Sequence, residues 1–372
     1  MKNIPLFKVL MSPDVSEYVS KVLESGYVGQ GQKVEEFESL LKKHLNYDYV
    51  VTTNSATSGL HLALHSLNAD QNAEVLTTPL TCTATNWPIL ANKIKLRWVD
   101  IDLETGNMDL IDLERKISPN TKAILVVHWG GYPVDIDELN NIVDRCEHRY
   151  GHRPTIIEDC AHAWGSTYKN KHIGTFGNWS VFSFQAIKHL TTVDGGALLT
   201  PDGDSYRRMR LLRWYGIDRE GSRKDFRCED DIKESGFKMH MNDLNASIGL
   251  SNFNIALDAI KRHQNNAEYY RSQLDNVPGI KILTEHSDRK STYWIFTMLV
   301  ERRDDFMRKM SEAGISSSRV HERNDKHTCV YNFRTALPNL DKFSSDMICI
   351  PVGWWVTDED REYIVDTIKK GW

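Results

Sequence analysis

Short apolar runs alternate with amphipathic stretches along the first two thirds of the chain. Each run has the length of one buried strand, and the stretches between them, such as 136–149, repeat apolar residues at helical spacing. The predicted strands are 49–52, 74–77, 96–99, 123–127, 155–157, 180–184 and 197–199. Strands that alternate with helices form a mostly parallel sheet flanked by helices, so the pattern predicts an α/β fold.

The pattern changes in the last third, where a long helix is predicted over 243–273. It leads to a smaller unit, whose predicted elements are a strand at 293–300 and helices at 304–313 and 358–370. A length of 372 residues suits about two domains. The sequence therefore predicts a large domain over 1–250 and a small C-terminal α/β domain over 251–372. A polar stretch at 218–235 is predicted to be a mobile loop near the functional site.

Composition and charge argue against several classes of protein. The net charge is −5 and basic residues are scattered, which favours neither nucleic acid nor an anionic membrane as a partner. No apolar run approaches the roughly 20 residues of a membrane-spanning helix, and the N-terminus lacks a signal-peptide core. The six cysteines show no paired spacing, so the sequence predicts reduced thiols in a cytoplasmic protein and no metal site.

One segment contains the strongest candidate chemistry. The predicted strand 180–184 leads into Lys188, and Gly195 and Gly196 open the next strand seven and eight residues later. Desolvation can lower the pKa of a lysine held between two core strands, which frees its amine to form a Schiff base with an aldehyde cofactor. Most lysines, however, are solvated surface charges, so two further segments are needed to favour this interpretation.

The first of these is a strand-to-helix turn at 54–59, rich in small and hydroxyl residues. Such a turn can present free backbone N–H groups to a phosphate, although a plain helix cap has the same composition. The second is the end of the strand at 155–157, which is followed by Asp159 and His162. A buried carboxylate there needs a cation or a proton donor, such as a protonated pyridine ring, unless it simply caps a helix.

Phosphate turn, acidic strand end and lysine occur in the order typical of fold-type I pyridoxal-phosphate enzymes. The chain most closely resembles the DegT/DnrJ/EryC1/StrS family of nucleotide-sugar aminotransferases. The resemblance covers nearly the whole chain, with matching motifs that include 26–31, 77–79, 99–102, 127–133, 211–216 and 236–243. It implies the fold-type I α/β architecture and pyridoxal 5′-phosphate as cofactor, which becomes pyridoxamine 5′-phosphate during turnover.

The resemblance also implies a reaction and partners. The expected reaction moves an amino group from glutamate or glutamine to a keto carbon of a nucleotide-linked keto-deoxysugar, for surface polysaccharide or glycoconjugate biosynthesis. The expected assembly is a homodimer with shared active sites. The alternatives are a cofactor-dependent sugar dehydratase of the same fold, an aminotransferase for a non-sugar ketone, and a non-enzymatic regulator.

Matching motifs imply roles for single residues. Lys188 resembles the Schiff-base lysine, which also acts as general acid and base, and Asp159 resembles the partner of the pyridine nitrogen. His162 matches a position near the phenolic oxygen of the cofactor. In a dehydratase subgroup a histidine replaces the lysine, but here the spacing of Lys188 to the double glycine favours a transaminase, with His189 as the next residue.

Further positions match the phosphate and substrate sites of the family. The expected phosphate ligands are Ala56, Thr57 and Ser183. The residues expected near the sugar are Tyr27, His321 and His327, although the two histidines are equally consistent with exposed loop residues. Lys238 aligns with a residue, commonly asparagine, that reaches the phosphate site of the neighbouring subunit. Cys82 replaces the aromatic residue that usually stacks on the cofactor ring, and Val193 replaces a glycine.

Overall fold

The computed structural model describes residues 2–219, 221 and 231–372. Most of the loop predicted at 218–235 therefore lies outside the described residues. The strands are β1 (Val50–Thr53), β2 (Glu74–Thr77), β3 (Lys95–Trp98), β4 (Thr121–Val127), β5 (Thr155–Asp159), β6 (Thr167–Tyr168), β7 (Lys171–His172), β8 (Trp179–Ser183), β9 (Gly196–Leu199), β10 (Ile280–Ile282), β11 (Arg289–Lys290), β12 (Phe296–Val300) and β13 (Met347–Ile350).

Helices precede, separate and follow these strands. They are α1 (Val15–Ser25), α2 (Gln32–Leu45), α3 (Ala56–His65), α4 (Thr83–Ala91), α5 (Leu110–Lys116), α6 (Ile136–Tyr150), α7 (Gly203–Leu212), α8 (Asp243–Leu274), α9 (Arg303–Glu312), α10 (Pro338–Asp346) and α11 (Asp358–Lys369). The four helices predicted with explicit bounds all occur, with ends that differ by at most one residue.

A seven-stranded sheet organises the larger part of the fold, in the order β1-β9-β8-β5-β4-β2-β3. Neighbouring strands are parallel except at β9, which runs antiparallel to both β1 and β8. All seven strands predicted from the apolar runs are present, with ends shifted by no more than two residues. The predicted α/β class with a mostly parallel sheet is confirmed.

Both faces of the sheet are covered at its centre, which explains why β4 is apolar without interruption over 123–127. In β4, Leu125 packs with α3 and α4 on one face, whereas Ile124 and Val126 pack with α6 on the other. Alternate residues of a strand point to opposite faces, so a strand buried on both sides needs apolar residues at every position.

A smaller antiparallel sheet, β10-β12-β13, packs with α9, α11 and the end of α8. Helix α8 contributes Phe253 to a core of the large sheet and Tyr270 to the core of the small one. Ile4 also belongs to the small core and pairs with Ile315. We propose that α8 passes continuously between the two predicted domains and that the first residues of the chain join the small one.

The strand predicted at 293–300 begins only at Phe296. Tyr293 adopts a left-handed backbone with φ of 49°, which breaks the extended conformation. The next residue, Trp294, donates its backbone N–H to Gly130 O at 2.9 Å. This turn attaches the start of the small sheet to the segment that follows β4 and directs the indole of Trp294 into a cavity described below. Within the described part of the chain, no helix is both long and apolar enough to cross a membrane.

A buried ion pair joins α2, β1 and the end of α7. Arg213 Nη1 lies 2.5 Å from Glu38 Oε1, and both side chains are almost fully buried. The same carboxylate oxygen accepts the backbone N–H of Thr52, and Arg213 donates to Thr52 O. Burial opposes ionisation of Glu38, but Arg213 and Thr52 outweigh it and hold the pKa of this carboxyl below its usual value.

We expect Arg213→Met to lower the free energy of unfolding by about 3–5 kcal/mol, because it leaves the Glu38 carboxylate buried without its cation. Urea unfolding at pH 7 measures the loss. The unpaired Glu38 can remain buried as a neutral, protonated acid. The difference in the free energy of unfolding between the variant and wild type should therefore shrink as the pH falls towards 4. The double variant with Glu38→Leu should recover most of the stability, and a loss below 1 kcal/mol in the single variant would contradict the assignment.

Candidate active site

The carboxyl ends of β4 and β5 and the N-terminus of α3 border one cavity of about 260 Å³. Ligands of open α/β sheets bind at this edge, outside the carboxyl ends of the strands. Eight of the eleven residues predicted for the site line this cavity: Ala56, Thr57, Cys82, Asp159, His162, Ser183, Lys188 and His321. Residues as far apart in the sequence as Ala56 and His321 therefore meet at one place.

The N-terminus of α3 presents backbone N–H groups to the cavity. Ser55 caps the helix by accepting the N–H of Ser58 at 3.1 Å. No hydrogen bond within the described residues engages the N–H groups of Ala56 and Thr57. Gly196 allows the close approach of β9, since a Cβ there would lie 2.6 Å from the Ala56 nitrogen. Two free N–H groups at the positive end of a helix form a cradle suited to a phosphate.

Asp159 lies at the end of β5 and is only 3% exposed. Its Oδ2 accepts the hydroxyl of Thr85 at 2.7 Å, and its Oδ1 accepts the N–H of Ala161 at 3.0 Å. Burial raises the pKa of this carboxyl, against the opposing effects of these hydrogen bonds and of Lys188. The carboxylate is thus held in a fixed orientation in a buried site, where a positively charged partner would stabilise it.

Lys188 lies in the loop between β8 and β9, and its side chain is partly buried at the cavity wall. Burial lowers the pKa of its amine to about 7, although Asp159 and Cys82 favour the charged form. A neutral amine is therefore well populated at neutral pH, which a nucleophile requires. The Nζ atom lies 3.5 Å from the centroid of the Trp294 ring.

Two imidazoles stack beside this lysine. The His162 ring lies parallel to Trp294, with centroids 3.9 Å apart, and the His321 ring is nearly parallel to His162 at 5.6 Å. Burial and the nearby Lys188 lower the pKa of His162 well below its usual value and that of His321 to about 4, so both rings are neutral at pH 7. His162 is 3% exposed, and its Nδ1 has no hydrogen-bond partner, so the cavity contains an unsatisfied polar atom.

Three predicted residues do not line the cavity. Tyr27 follows α1 and is 83% exposed. His327 packs edge-on against Trp87, with ring centroids 5.8 Å apart. Lys238 is exposed, and its Nζ lies 5.5 Å from the Trp214 ring. Any contact of these side chains with a ligand requires a bound substrate that extends beyond the cavity or a second subunit.

Among the cavity residues that are not predicted from the sequence, Trp294 and Thr85 contact the predicted Lys188 and Asp159. Trp294 was placed at the start of a strand, and the left-handed turn at Tyr293 that directs it inward has no evident signature in the sequence. Thr85 follows Thr81 by one helical turn, and their hydroxyl oxygens lie 2.7 Å apart. Thr81 and Thr85 thus form a hydrogen-bonded chain to Asp159. In the sequence, only the spacing of two threonines four residues apart at a helix N-terminus indicates it.

Val193, which replaces a glycine of the family pattern, adopts a strained backbone conformation. Its φ is 71°, in the left-handed region that disfavours β-branched residues. The conformation is supported by its own N–H, which donates to Thr191 Oγ1 at 2.9 Å. A strained valine thus precedes Asp194 and Gly195, which both line the cavity.

Comparisons with known proteins identify the family of the chain. The model of the DegT/DnrJ/EryC1/StrS aminotransferase family matches residues 11–369. GDP-perosamine synthase from Escherichia coli O157:H7 is 30% identical and covers 95% of this chain and 92% of its own. The structure of the sugar aminotransferase CalS13 from Micromonospora echinospora has a TM-score of 0.96 at 47% identity, over 99% of this chain and all of that one. The PMP-form of Spr1654, a sugar aminotransferase candidate from Streptococcus pneumoniae, has a TM-score of 0.92 at 26% identity, over 99% and 98% of the two chains.

Proposed function

The chain belongs to the DegT/DnrJ/EryC1/StrS aminotransferase family and is a sugar aminotransferase, and we propose that it transfers the amino group of glutamate or glutamine to a nucleotide-linked keto-deoxysugar. The observation that supports a transaminase best is the Lys188 amine, with a pKa near 7, in one cavity with the buried carboxylate of Asp159 and the free N–H groups of α3. The proposed role is to supply amino sugars for surface polysaccharide or glycoconjugate biosynthesis.

The cavity fits pyridoxal 5′-phosphate. Ala56 and Thr57 offer backbone N–H groups, and Ser183 a hydroxyl, to a phosphate. Asp159 would hold the protonated pyridine nitrogen, and the unpaired Nδ1 of His162 would offer a hydrogen-bonding atom to a polar group of the cofactor. When bound, the cofactor supplies an aldehyde for attachment of an amine and a ring that accepts electrons.

The residues of the chain then hold and move protons. Because the pKa of Lys188 is near 7, its Nζ can accept a proton from carbon and return it to carbon at neutral pH. Asp159, oriented by Thr85 and Ala161, favours the proton on the ring nitrogen.

The proposed substrate rests on the family and on the name of a relative, GDP-perosamine synthase, which points to a nucleotide-linked sugar. We propose that the sugar enters on the side of His321 and that Tyr27 and His327 contact parts of the substrate outside the cavity. The exposed ring of Tyr27 offers an apolar surface for such a contact.

A panel of nucleotide-linked 3-keto and 4-keto deoxysugars, assayed with glutamate, tests the proposal. We expect stoichiometric 2-oxoglutarate and an amino sugar from one or more members, and no product with the Lys188→Ala variant. Turnover of non-sugar ketones alone would contradict the substrate class. Loss of a sugar hydroxyl without incorporation of nitrogen would identify the dehydratase instead.

We further propose that the active unit is a homodimer in which Lys238 reaches the phosphate site of the partner subunit. Large apolar side chains are exposed at the end of α1 and in the loop after it, namely Leu23, Tyr27 and Val28. This loop is tied to the start of α8 by hydrogen bonds between Asp243 and the backbone of Gly29 and Gly31. An exposed apolar surface beside the segment of Lys238 suits an interface between two copies.

Mixing two inactive variants tests this arrangement. Subunits with Lys188→Ala and subunits with Lys238→Glu should together regain about a quarter of wild-type activity, since half of randomly formed dimers are mixed and each has one intact site. Neither variant alone should be active, and light scattering checks that both assemble. A fully active monomer would reject the dimer, whereas failure of verified mixed dimers would reject Lys238 as the shared residue.

A further inference from the structure

We propose that Trp294 takes part in the reaction by stabilising the protonated state of Lys188 through its indole face, an inference that rests on the proposed transaminase function. The Nζ atom of Lys188 lies 3.5 Å from the centroid of this ring. Every other contact between a cation and an aromatic ring in the described part of the chain is at least 4.2 Å long. Tryptophan is the strongest aromatic partner for a cation, and the attraction grows when the contact is desolvated.

Several contacts fix the indole in this position. Its Nε1 donates to the carbonyl of Ile187, the residue before Lys188, at 2.9 Å. The ring of Phe7 stacks on it at 5.1 Å and that of His162 at 3.9 Å, and the side chain is only 2% exposed. The indole is therefore held rigidly against the loop that contains the lysine, and its position does not depend on a mobile side chain.

The charges around Lys188 explain why an uncharged ring is useful here. The titratable groups that face it are Asp159, Cys82, His162, His321 and His189. Asp159 is the only carboxylate among them, and the proposed function assigns it to the proton of the pyridine ring. The three histidines are kept neutral by burial and offer no negative charge.

Lys188 must nevertheless exist as an ammonium during part of each cycle, because it accepts a proton from one carbon before it returns it to another. A second carboxylate would stabilise that ammonium but would also compete for the ring proton and raise the pKa of the amine. The quadrupole of an indole attracts the cation without adding a net charge. Trp294 therefore supports the protonated state while the neutral amine stays accessible near pH 7.

Fluorinated tryptophans at position 294 test this inference without changing the shape of the cavity. Each added fluorine weakens the negative potential of the indole face. We propose to measure the pKa of the Lys188 amine in the protein without cofactor, from the pH dependence of its acetylation in competition with a reference amine, followed by peptide mass spectrometry. From tryptophan to tetrafluorotryptophan we expect the pKa to fall stepwise, by about one unit in total.

The same analogues at Trp98 provide the control, because this tryptophan is buried in the main core and does not line the cavity. They should leave the pKa of Lys188 unchanged. A pKa that stays constant along the series at position 294, or rises, would overturn the inference. The pKa measurement needs neither cofactor nor turnover. A constant pKa at position 294 would therefore leave the transaminase proposal intact. Conversely, inactivity with every keto sugar would leave the result at Trp294 intact.

Discussion

Replacing Lys188 with alanine should reduce turnover by roughly 10⁴-fold or more, because the variant lacks both the nucleophilic amine and the proton carrier. Positioned proton transfer alone contributes about 10²–10⁴ to the rate of an enzyme, and covalent attachment adds to this. The fold should survive, since burial disfavours the charge of this lysine and its removal relieves that cost. Steady-state assays and thermal unfolding measure the two effects.

The matched variant Lys188→Arg separates charge from nucleophilicity. Arginine keeps a positive charge near the Trp294 ring but cannot act as an amine nucleophile or lose its proton at neutral pH. It should therefore be as inactive as alanine. Borohydride treatment with bound pyridoxal phosphate should attach the cofactor to the peptide that contains Lys188 in wild type only. Labelling of another lysine, or near-normal turnover in either variant, would refute the assignment.

The lowered pKa of Lys188 also makes a prediction about stability. Between pH 7 and about 10.5 the unfolded chain binds a proton at this lysine that the folded chain does not. Stability of the cofactor-free protein should therefore increase with pH through this group across that window. The contribution of Lys188 is the difference in the free energy of unfolding between wild type and Lys188→Ala, measured across that pH window. An identical pH dependence in both proteins would contradict the lowered pKa.

The central sheet could be predicted from the sequence because its parallel strands are buried on both faces. Such strands appear as uninterrupted apolar runs, and Ile124, Leu125 and Val126 in β4 are all fully buried. The phosphate turn was also predictable, since β1, the turn and α3 follow one another directly in the chain. Local sequence contains the whole of such a motif.

The remaining parts of the site depend on contacts between distant segments. Thr85 meets Asp159 across 74 positions of the chain, and Trp294, which contacts Lys188, directly follows the left-handed Tyr293. The apolar pattern at 293–300 fits an ordinary strand, which would continue the ladder through Trp294. Hydrophobic periodicity reports which residues are buried, but it does not report where a buried side chain meets a functional group.

The aromatic residue missing at position 82 illustrates the same point. The resemblance predicted weaker stacking on the cofactor ring, because Cys82 replaces an aromatic side chain there. The structure contains a tryptophan elsewhere in the same cavity, parallel to His162 and in contact with Lys188. Comparison of single positions could not reveal this, since Trp294 and Cys82 lie on separate elements that approach only in the folded chain.

Replacing Asp159 with asparagine should lower turnover by about a thousandfold while the cofactor remains bound. An asparagine can accept only one of the two hydrogen bonds from Thr85 and Ala161, because its second polar atom is an NH2 group that donates, and it has no negative charge to hold a proton on the pyridine nitrogen. Loss of one electrostatic stabiliser of a transition state costs roughly 10²–10³ in rate. The decrease should appear in kcat more than in KM, since the amino donor and the sugar do not contact this residue.

Glu158 offers a control on the same strand. Its carboxylate is fully buried, accepts hydrogen bonds from His128 and Asn178, and does not line the cavity. Because the N–H of Val134 donates to His128 Nδ1, the Nε2 of that ring is the atom that donates to Glu158. Glu158→Gln removes a buried charge one residue from Asp159 and should lower stability, yet kcat of the folded fraction should stay within a few fold of wild type. If Asp159→Asn also retained activity within about tenfold, Asp159 would be a structural carboxylate like its neighbour and not the partner of the pyridine nitrogen.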